Sequence, residues 1–513
     1  MYKIVVSFLI VFLFAACVKK EEYDFDKLAK TSWTPQVGFP LLNSSLGVKD
    51  LMGNADSNAV TTDLNGLIVL KYQKGTEIIK ASDFVKFDAG LDMDSPSIPL
   101  IPGGPYPVSI PFDTAGVGIK ITRIEFESGT MQLSLESGFN QEATYDFPTL
   151  RNANDTAIRV SVPMQTGSSK SVDLSGHSIE IDATGNFTIN ITIPAGVSGN
   201  AKPIIKINNL EYKRIEGDFQ NKILQLPKDS IQLYIFKNLA AEEELYVDDP
   251  RINVNVKNGF GVPVALDLSS MYGFNTVSGT SRTITKAGSG VFNISKGTAS
   301  SPVESKIKLD KTNSNLNRVL EPTPMFIGHN LSAESNPGSS SKNVNVLEKD
   351  ATIEVNTLLE LPLQGRVKGL AIVDTVPFTI NESFDLIRDM AISTAIKNGF
   401  PFGVKLTLSL LDENYLPVKT ADGNPIFLLK ERDIATSGVV NSATGRIDQN
   451  NLETKTNNYA IGNKEVKELL KGKFVRIVGV VETFKNGNEV IGIYDNYKFD
   501  LRVGVKITGN LTF

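Results

Sequence analysis

One phrase occurs twice in this chain of 513 residues. Residues 252–269 read INVNVKNGFGVPVALDLS, residues 392–409 read ISTAIKNGFPFGVKLTLS, and nine of the eighteen positions are identical at an offset of 140. Each copy starts in period-2 alternation, breaks at Asn-Gly-Phe and resumes alternation. Alternation is the pattern of a strand with one buried face. The phrase therefore predicts strand, tight turn at Asn258-Gly259 and Asn398-Gly399, then strand, with Phe260 and Phe400 tucked inward. A fainter copy, MQLSLESGF at 131–139, lies at an offset of 121 and continues to Ala143, Tyr145 and Phe147. A second echo sets Asn313–Leu320 before Met325-Phe326-Ile327 and Asn463–Leu470 before Phe474-Val475-Arg476-Ile477, a short capped helix leading into a strand. A chain built this way is confined to a row of similar β units, each a sandwich with one small helix.

The remaining sequence agrees. Ile179–Ile181, Phe187–Ile193, Phe474–Val481 and Tyr497–Val505 alternate, and Asn486-Gly487 between two such runs favours positive φ at both positions. Helix-like pieces are short: 315–320, 385–395 and 464–470. With so little helix, parallel crossovers are not expected. The predicted fold class is all-β, as tandem antiparallel β-sandwich domains with a few short helices. A content of 41% hydrophobic and 21% charged residues supplies a core and argues against extensive disorder. Expected divisions are 1–16 signal peptide, 17–35 tether, 36–115 N-terminal β region, and repeats at 116–230, 231–350 and 351–513. Six prolines between 96 and 111 predict an extended stretch at the surface or a sheet edge. Asn336–Lys342 (NPGSSSK) is the strongest linker signal, and 286–302 reads as a flexible tract with a strand at Val291–Ile294.

The N-terminus supplies an address. Lys3 precedes the apolar run Ile4–Phe14, then Ala15-Ala16-Cys17. The run is too short to span a bilayer and suits a secretory h-region. No later run is long enough for a membrane helix. Cys17 is the chain's one cysteine, which rules out an intrachain disulfide framework. Leu13-Phe14-Ala15-Ala16-Cys17 resembles a bacterial lipobox, with Phe14 where a smaller aliphatic is usual. The resemblance implies cleavage before Cys17 and its acylation. Val18-Lys19-Lys20-Glu21-Glu22 resembles the surface-export tag of Bacteroidetes lipoproteins, carried by Lys20, Glu21 and Glu22. It implies an outer-membrane protein, lipid-anchored and facing the cell exterior. Asp248-Asp249-Pro250, the alternation after it, Asn-Gly-Phe and Pro263-Val264 resemble the water-stress and LEA-type-2 sandwich motif, which bears on fold alone.

Catalytic signatures are missing from the sequence: no phosphate loop, dinucleotide fingerprint, nucleophile elbow or zincin helix. A net charge of −5 excludes a chain-wide basic field for nucleic acid. One Cys and two His leave little for zinc, and no metal or cofactor is expected. A Ser–His–acid relay would need His177 or His329, both read as turn histidines. A thiol nucleophile is removed if Cys17 is acylated. Glu242-Glu243-Glu244 with Asp248-Asp249 is the densest acidic cluster, read as solvated turn; Asp92/Asp94 and Asp24/Asp26 are weaker. Trp33 reads as a cap over the first sandwich rather than a sugar platform, and Tyr246 and Tyr272 are undecided. The expectation is a non-enzymatic surface lipoprotein whose modules bind a partner or assist envelope assembly, touching the membrane through its lipid. The alternatives are a glycan-binding accessory protein of a polysaccharide-uptake system, a surface hydrolase with two close carboxylates, and an apolar-ligand carrier.

Overall fold

A computed structural model of the protein describes residues 32–48, 59–87, 90–93, 95–112, 119–234, 244–321, 323–338, 345–377, 387–461, 471–509 and 511–512. Cys17, Lys20, Glu21, Glu22 and the 464–470 segment lie outside them. The alternating runs are strands, and every strand pair among the described residues is antiparallel. Among the described residues helix is confined to single turns such as Ala81–Phe84 and Leu316–Val319. No helix of the described residues is long and apolar enough to cross a membrane.

Three bodies of sheet follow one another. The first is a broad sheet whose longest strands are Lys120–Glu136 and Asn200–Asp218. Its proline-rich strand Gly103–Pro111 stands at the edge, where missing N–H donors do least harm. The middle and last bodies are two copies of one sandwich. In the middle copy the front sheet runs Val303–Leu309, Arg251–Asn258, Thr352–Pro362, Ile68–Gln73. Its back sheet runs Ile223–Gln225, Ser332–Ser335, Val264–Asp267, Val291–Ile294. In the last copy the front sheet runs Thr454–Ile461, Ile387–Asn398, Lys498–Gly509, Gln36–Gly47. Its back sheet runs Leu370–Pro377, Phe474–Thr483, Phe402–Leu411, Phe427–Ala435. The repeated phrase supplies the second front strand and the third back strand in both. The middle back sheet also continues into a second four-stranded piece of parallel order: Asp229–Gln232, Phe326–His329, Tyr272–Phe274, Ser281–Thr283.

The repeated Asn-Gly-Phe is not a hairpin turn, because the strands on either side belong to different sheets. It is the corner where the chain crosses the sandwich. Asn258 Oδ1 accepts from the Phe260 N–H at 2.9 Å, and its Nδ2 donates to the carbonyls of Val262 at 2.9 Å and Ser295 at 3.0 Å. Asn398 repeats all three bonds, to Phe400 N at 2.9 Å, Phe402 O at 2.7 Å and Thr436 O at 2.8 Å. One buried amide thus satisfies three backbone groups left bare by the crossing. The glycine is required by proximity, not by φ. A Cβ on Gly259 would sit 2.9 Å from the Thr352 carbonyl, and one on Gly399 2.7 Å from that of Lys498. Phe260 and Phe400 point into the interior as expected. The faint copy is a different device: Gly138 has φ +79°, and Phe139 is only half-buried.

Several expectations change. Residues 387–398, which overlap most of the helix-like 385–395, form a strand, because partners on both sides complete its ladder. At Asn486-Gly487 both φ values are positive, but Lys485 joins them, and the next strand, Ile491–Gly492, pairs with Gln364–Lys368 instead of folding back. Asn336, at the head of the expected linker, is buried and bonds to Pro263 and Gln220; residues 339–342 lie outside the described set. The stretch 36–115 makes no sheet of its own. Gln36–Gly47 joins the last module, Ile68–Gln73 and Glu77–Lys80 the middle one, and Gly103–Pro111 the first. Trp33 accordingly pairs with Leu511 at the far end of the chain, not with the first sheet.

One continuous apolar cluster runs through the first and middle bodies and reaches Phe400, Ile447 and Tyr497. The last module adds two small clusters, around Leu410 and around Ile396.

Candidate functional site

The two front sheets can be compared position by position, because the ladders share a register. Asn253, Asn255 and Arg251 face Leu358, Asn356 and Glu360 in the middle module. Ser393, Ala395 and Ala391 face Gly504, Arg502 and Lys506 in the last. Strand alternation sends all of these side chains outward, away from the sandwich interior.

On the middle module they are long and paired with one another. Glu360 takes Lys71 at 3.3 Å and the Asn253 amide at 3.0 Å. Asn356 bonds to Gln73 at 3.4 Å and Thr76 at 3.3 Å, and Lys257 meets Glu304 at 3.5 Å. On the last module the same points carry glycine, alanine and serine, and a groove of about 880 Å³ opens over the sheet. Gly38, Ser393, Ala395 and Gly504 form its floor; Gln36, Asn43, Thr456, Arg502 and Lys506 stand along it. Lys506 occupies the place of Glu360, and Arg502 that of Asn356. Both cations are exposed, and neither has a partner among the described residues. Ser393 donates to Asn458 beside the floor. Among the described residues no carboxylate and no aromatic ring lines the groove.

The residues singled out from sequence sit elsewhere. The corner residues Asn258, Gly259, Phe260, Asn398, Gly399 and Phe400 make the crossings described above and do not line the groove. His177 is a turn histidine, its Nδ1 3.1 Å from the Ser175 carbonyl. His329 is not. It lies on the Phe326–His329 strand, 2% exposed, because the middle back sheet extends under the Glu77–Lys80 strand. Its Nε2 is 3.2 Å from Glu77 Oε1 but off the hydrogen-bond direction, and neither ring nitrogen has a hydrogen-bond partner. Asp229 stands opposite it in register and holds Lys74 at 3.0 Å. Burial lowers the His329 pKa. Burial raises that of Glu77, and the Asp229 charge adds to the rise while Lys74 opposes it. Burial works against the Asp229 carboxylate too, but bonds from Lys74 and the Ser230 N–H outweigh it and keep the group below its ordinary value. No hydroxyl reaches the ring, so the serine relay considered above is not assembled here.

The described part of the acidic cluster is partly buried and neutralised rather than solvated. Asp248 takes Lys311 at 2.7 Å and the Tyr246 hydroxyl at 3.2 Å, and Asp249 takes Arg251. Asp92 pairs with Lys206 at 3.3 Å. No group of three metal-ligating side chains occurs among the described residues. Tyr272 is exposed and packs its ring edge over Gly328.

Sequence reading passed over Arg502 and Lys506 as ordinary outward residues of an alternating strand. Nothing local marks them. Their meaning comes from the register that sets them against Gly504, Ser393 and Ala395.

No protein-family model matches the chain, and no curated protein does. Among solved structures, a protein from Parabacteroides distasonis described as secreted is 16% identical over 58% of this chain and 89% of its own, with a TM-score of 0.32. A structure of infectious bursal disease virus is 8% identical over 88% and 82%, with a TM-score of 0.14. One of Sulfolobus Turreted Icosahedral Virus is 10% identical over 82% and 97%, with a TM-score of 0.12. None reaches the level of a shared fold, and no function passes from them to this chain.

Proposed function

We propose that this protein is a non-enzymatic outer-membrane lipoprotein, facing the cell exterior, whose sandwich modules carry a binding surface on the front sheet of the last copy. The observation behind it is the divergence of the two front faces. One frame is used twice, and only one copy is stripped to a trough with two cations that have no partner among the described residues. The partners in this reading are the membrane, through the lipid, and a glycan or an envelope protein in the groove; nucleic acid is not among them.

The anchor rests on Cys17 and the export tag on Lys20-Glu21-Glu22. Several acyl chains hold a soluble domain on a bilayer almost permanently, at ~0.8 kcal/mol per buried methylene. The fold adds a constraint. Ser32–Trp33 pair with Leu511–Thr512 and Gln36–Gly47 with Lys498–Gly509. The chain from Cys17 thus enters the fold through the last module, within about 50 Å of extended backbone. The groove-bearing module is the one tied to the membrane.

Labelled palmitate tests the reading. Incorporation into the native chain, lost in Cys17→Ala, is expected, as is protease accessibility on intact cells that disappears when Lys20, Glu21 and Glu22 become alanine. A blank in both native samples overturns the address.

A further inference from the structure

We infer that the groove of the last module binds an acidic glycan, a polysaccharide chain bearing carboxylate or sulfate groups. The inference rests on that face being the binding surface and adds the class of ligand.

Charge comes first. Arg502 and Lys506 lie on one strand and one face, four residues apart, about 13 Å along the strand at ~3.3 Å per residue. The nearest acids on that face belong to other rows: Asp500 opposes Lys397, and Asp389 opposes Thr508. Two separate cations along a trough, in a chain of net charge −5, suit a ligand with repeated anionic groups better than a single ion.

Shape comes second. Over Gly38, Ser393, Ala395 and Gly504 the side chains are too short to cover the backbone, so a thin polar chain can lie against the sheet. Gln36, Asn43 and Thr456 stand beside that path with amide and hydroxyl groups, which both donate to and accept from sugar hydroxyls. The lining also discriminates. Single-stranded nucleic acid needs aromatic platforms for its bases, and the described lining holds no aromatic ring; Val37 and Pro40 add a small apolar edge against which the carbon face of a sugar can rest. A neutral glycan would lack both the aromatic stacking it relies on and any use for the cations.

The test uses the full mature chain carrying Cys17→Ala, titrated calorimetrically with polygalacturonate and with heparin. Methyl-esterified polygalacturonate is the neutral counterpart, and phosphatidylglycerol vesicles are the lipid counterpart. At least one acidic polymer should bind, and more weakly as salt is raised. The Arg502→Gln/Lys506→Gln double variant should bind it about tenfold or more weakly, as expected when charge-assisted bonds are lost. Lys257→Gln on the middle front sheet should leave binding unchanged. No binding of either acidic polymer overturns the inference, as does binding indifferent to the double variant, or vesicle binding without polysaccharide binding. Ala395→Trp, which fills the trough, separates the two levels. If it abolishes binding of the neutral polymer while the charge variants do not, the groove stands and the acidic class falls. If it changes no titration, both fall.

Discussion

The middle and last modules share strand order, corner and register, yet they are packed differently. In the middle module Thr352–Pro362 alternates half-buried and buried along its length, and its core is continuous with that of the first sheet. In the last module the equivalent strand, Lys498–Gly509, has no fully buried residue; the continuous cluster reaches only its corner at Phe400, Ile447 and Tyr497, and the rest of its core is two small clusters. What both keep is the asparagine with its three backbone partners, the glycine under a neighbouring carbonyl, and the phenylalanine. A handful of positions at one corner sets the sandwich, and the rest of each copy has been free to change. The middle copy invested its outer face in self-pairing, while the last left it open.

The largest test of this comparison is the phenylalanine. Phe260 packs at 5.7 Å from Phe84 in the middle of the continuous cluster, whereas Phe400, at 5.0 Å from Phe402 and 6.0 Å from Tyr497, stands at the end of it that reaches the last module. Phe260→Ala should cost about 4 kcal/mol and Phe400→Ala about 3, the range for a large core truncation. Module-resolved hydrogen exchange reads both. Phe260→Ala should raise exchange in the first and middle bodies together, Phe400→Ala in the last alone. Equal spread from both variants would mean the cores are energetically one.

Next in size is the glycine. Gly259→Ala and Gly399→Ala each push a methyl into a carbonyl, and about 2 kcal/mol is expected from the forced backbone shift. Gly399→Ala should cost the more of the two, since its methyl meets the Gln449 side-chain amide as well as the Lys498 carbonyl. Urea melts followed in each module check this, and a tolerated alanine at either site would show that the corner can relax.

Acid separates the modules in another way. The chain has two histidines, His177 in the first body and the buried His329 in the middle one. Because burial lowers the His329 pKa, the unfolded chain takes up a proton near pH ~6.5 that the folded chain resists. The unfolded state then holds more protons, so stability falls as pH drops below about 6.5. Glu77 has the opposite sign. Its raised pKa gives a contribution that is complete below about pH 4.5 and lost as pH climbs through the folded value. Lys74 and Asp229 are the other charges facing the pair, and Asp229, held below its ordinary value, stays ionised across this window. Going from about pH 7.5 to 5.5 should therefore lower the native middle-module melting temperature relative to that of His329→Gln, which keeps Glu77 and lacks the ring. The last module, which has no histidine, should show no such slope.

How much of this was legible from sequence follows the same division. The corner residues are consecutive and repeated, so Asn258–Phe260 and Asn398–Phe400 were visible, and alternation revealed most strands. Their pairing was not visible. Ser32–Gly47 closing a sheet with Lys498–Thr512 is a contact across almost the whole chain, and no local pattern encodes it. His329 looked like a turn residue because Gly328 and two prolines surround it; the Glu77–Lys80 strand that buries it lies about 250 residues away. The groove was hidden for the same reason, being a property of four strands read side by side.

The smallest expected effect is the one that bears most on function. Lys506→Glu gives the last front sheet the carboxylate that the middle module has at Glu360. In the middle module that carboxylate is held by Lys71 and Asn253; in the last, the flanking positions are Gly38 and Ser393, which offer no cation. The new side chain is exposed and unpaired, so stability should move by no more than about 0.5 kcal/mol, and thermal melts should overlay those of the native chain. Binding of an acidic polymer should nevertheless be lost, because one of two cations has become an anion in the middle of its path. Adding Gly38→Lys to Lys506→Glu then supplies a cation where the middle module has Lys71. That pair should self-neutralise and leave the groove closed to acidic ligands while the fold stays intact. If the double variant instead binds as the native chain does, the position of charge on this face does not matter, and the contrast between the two front sheets carries no functional meaning.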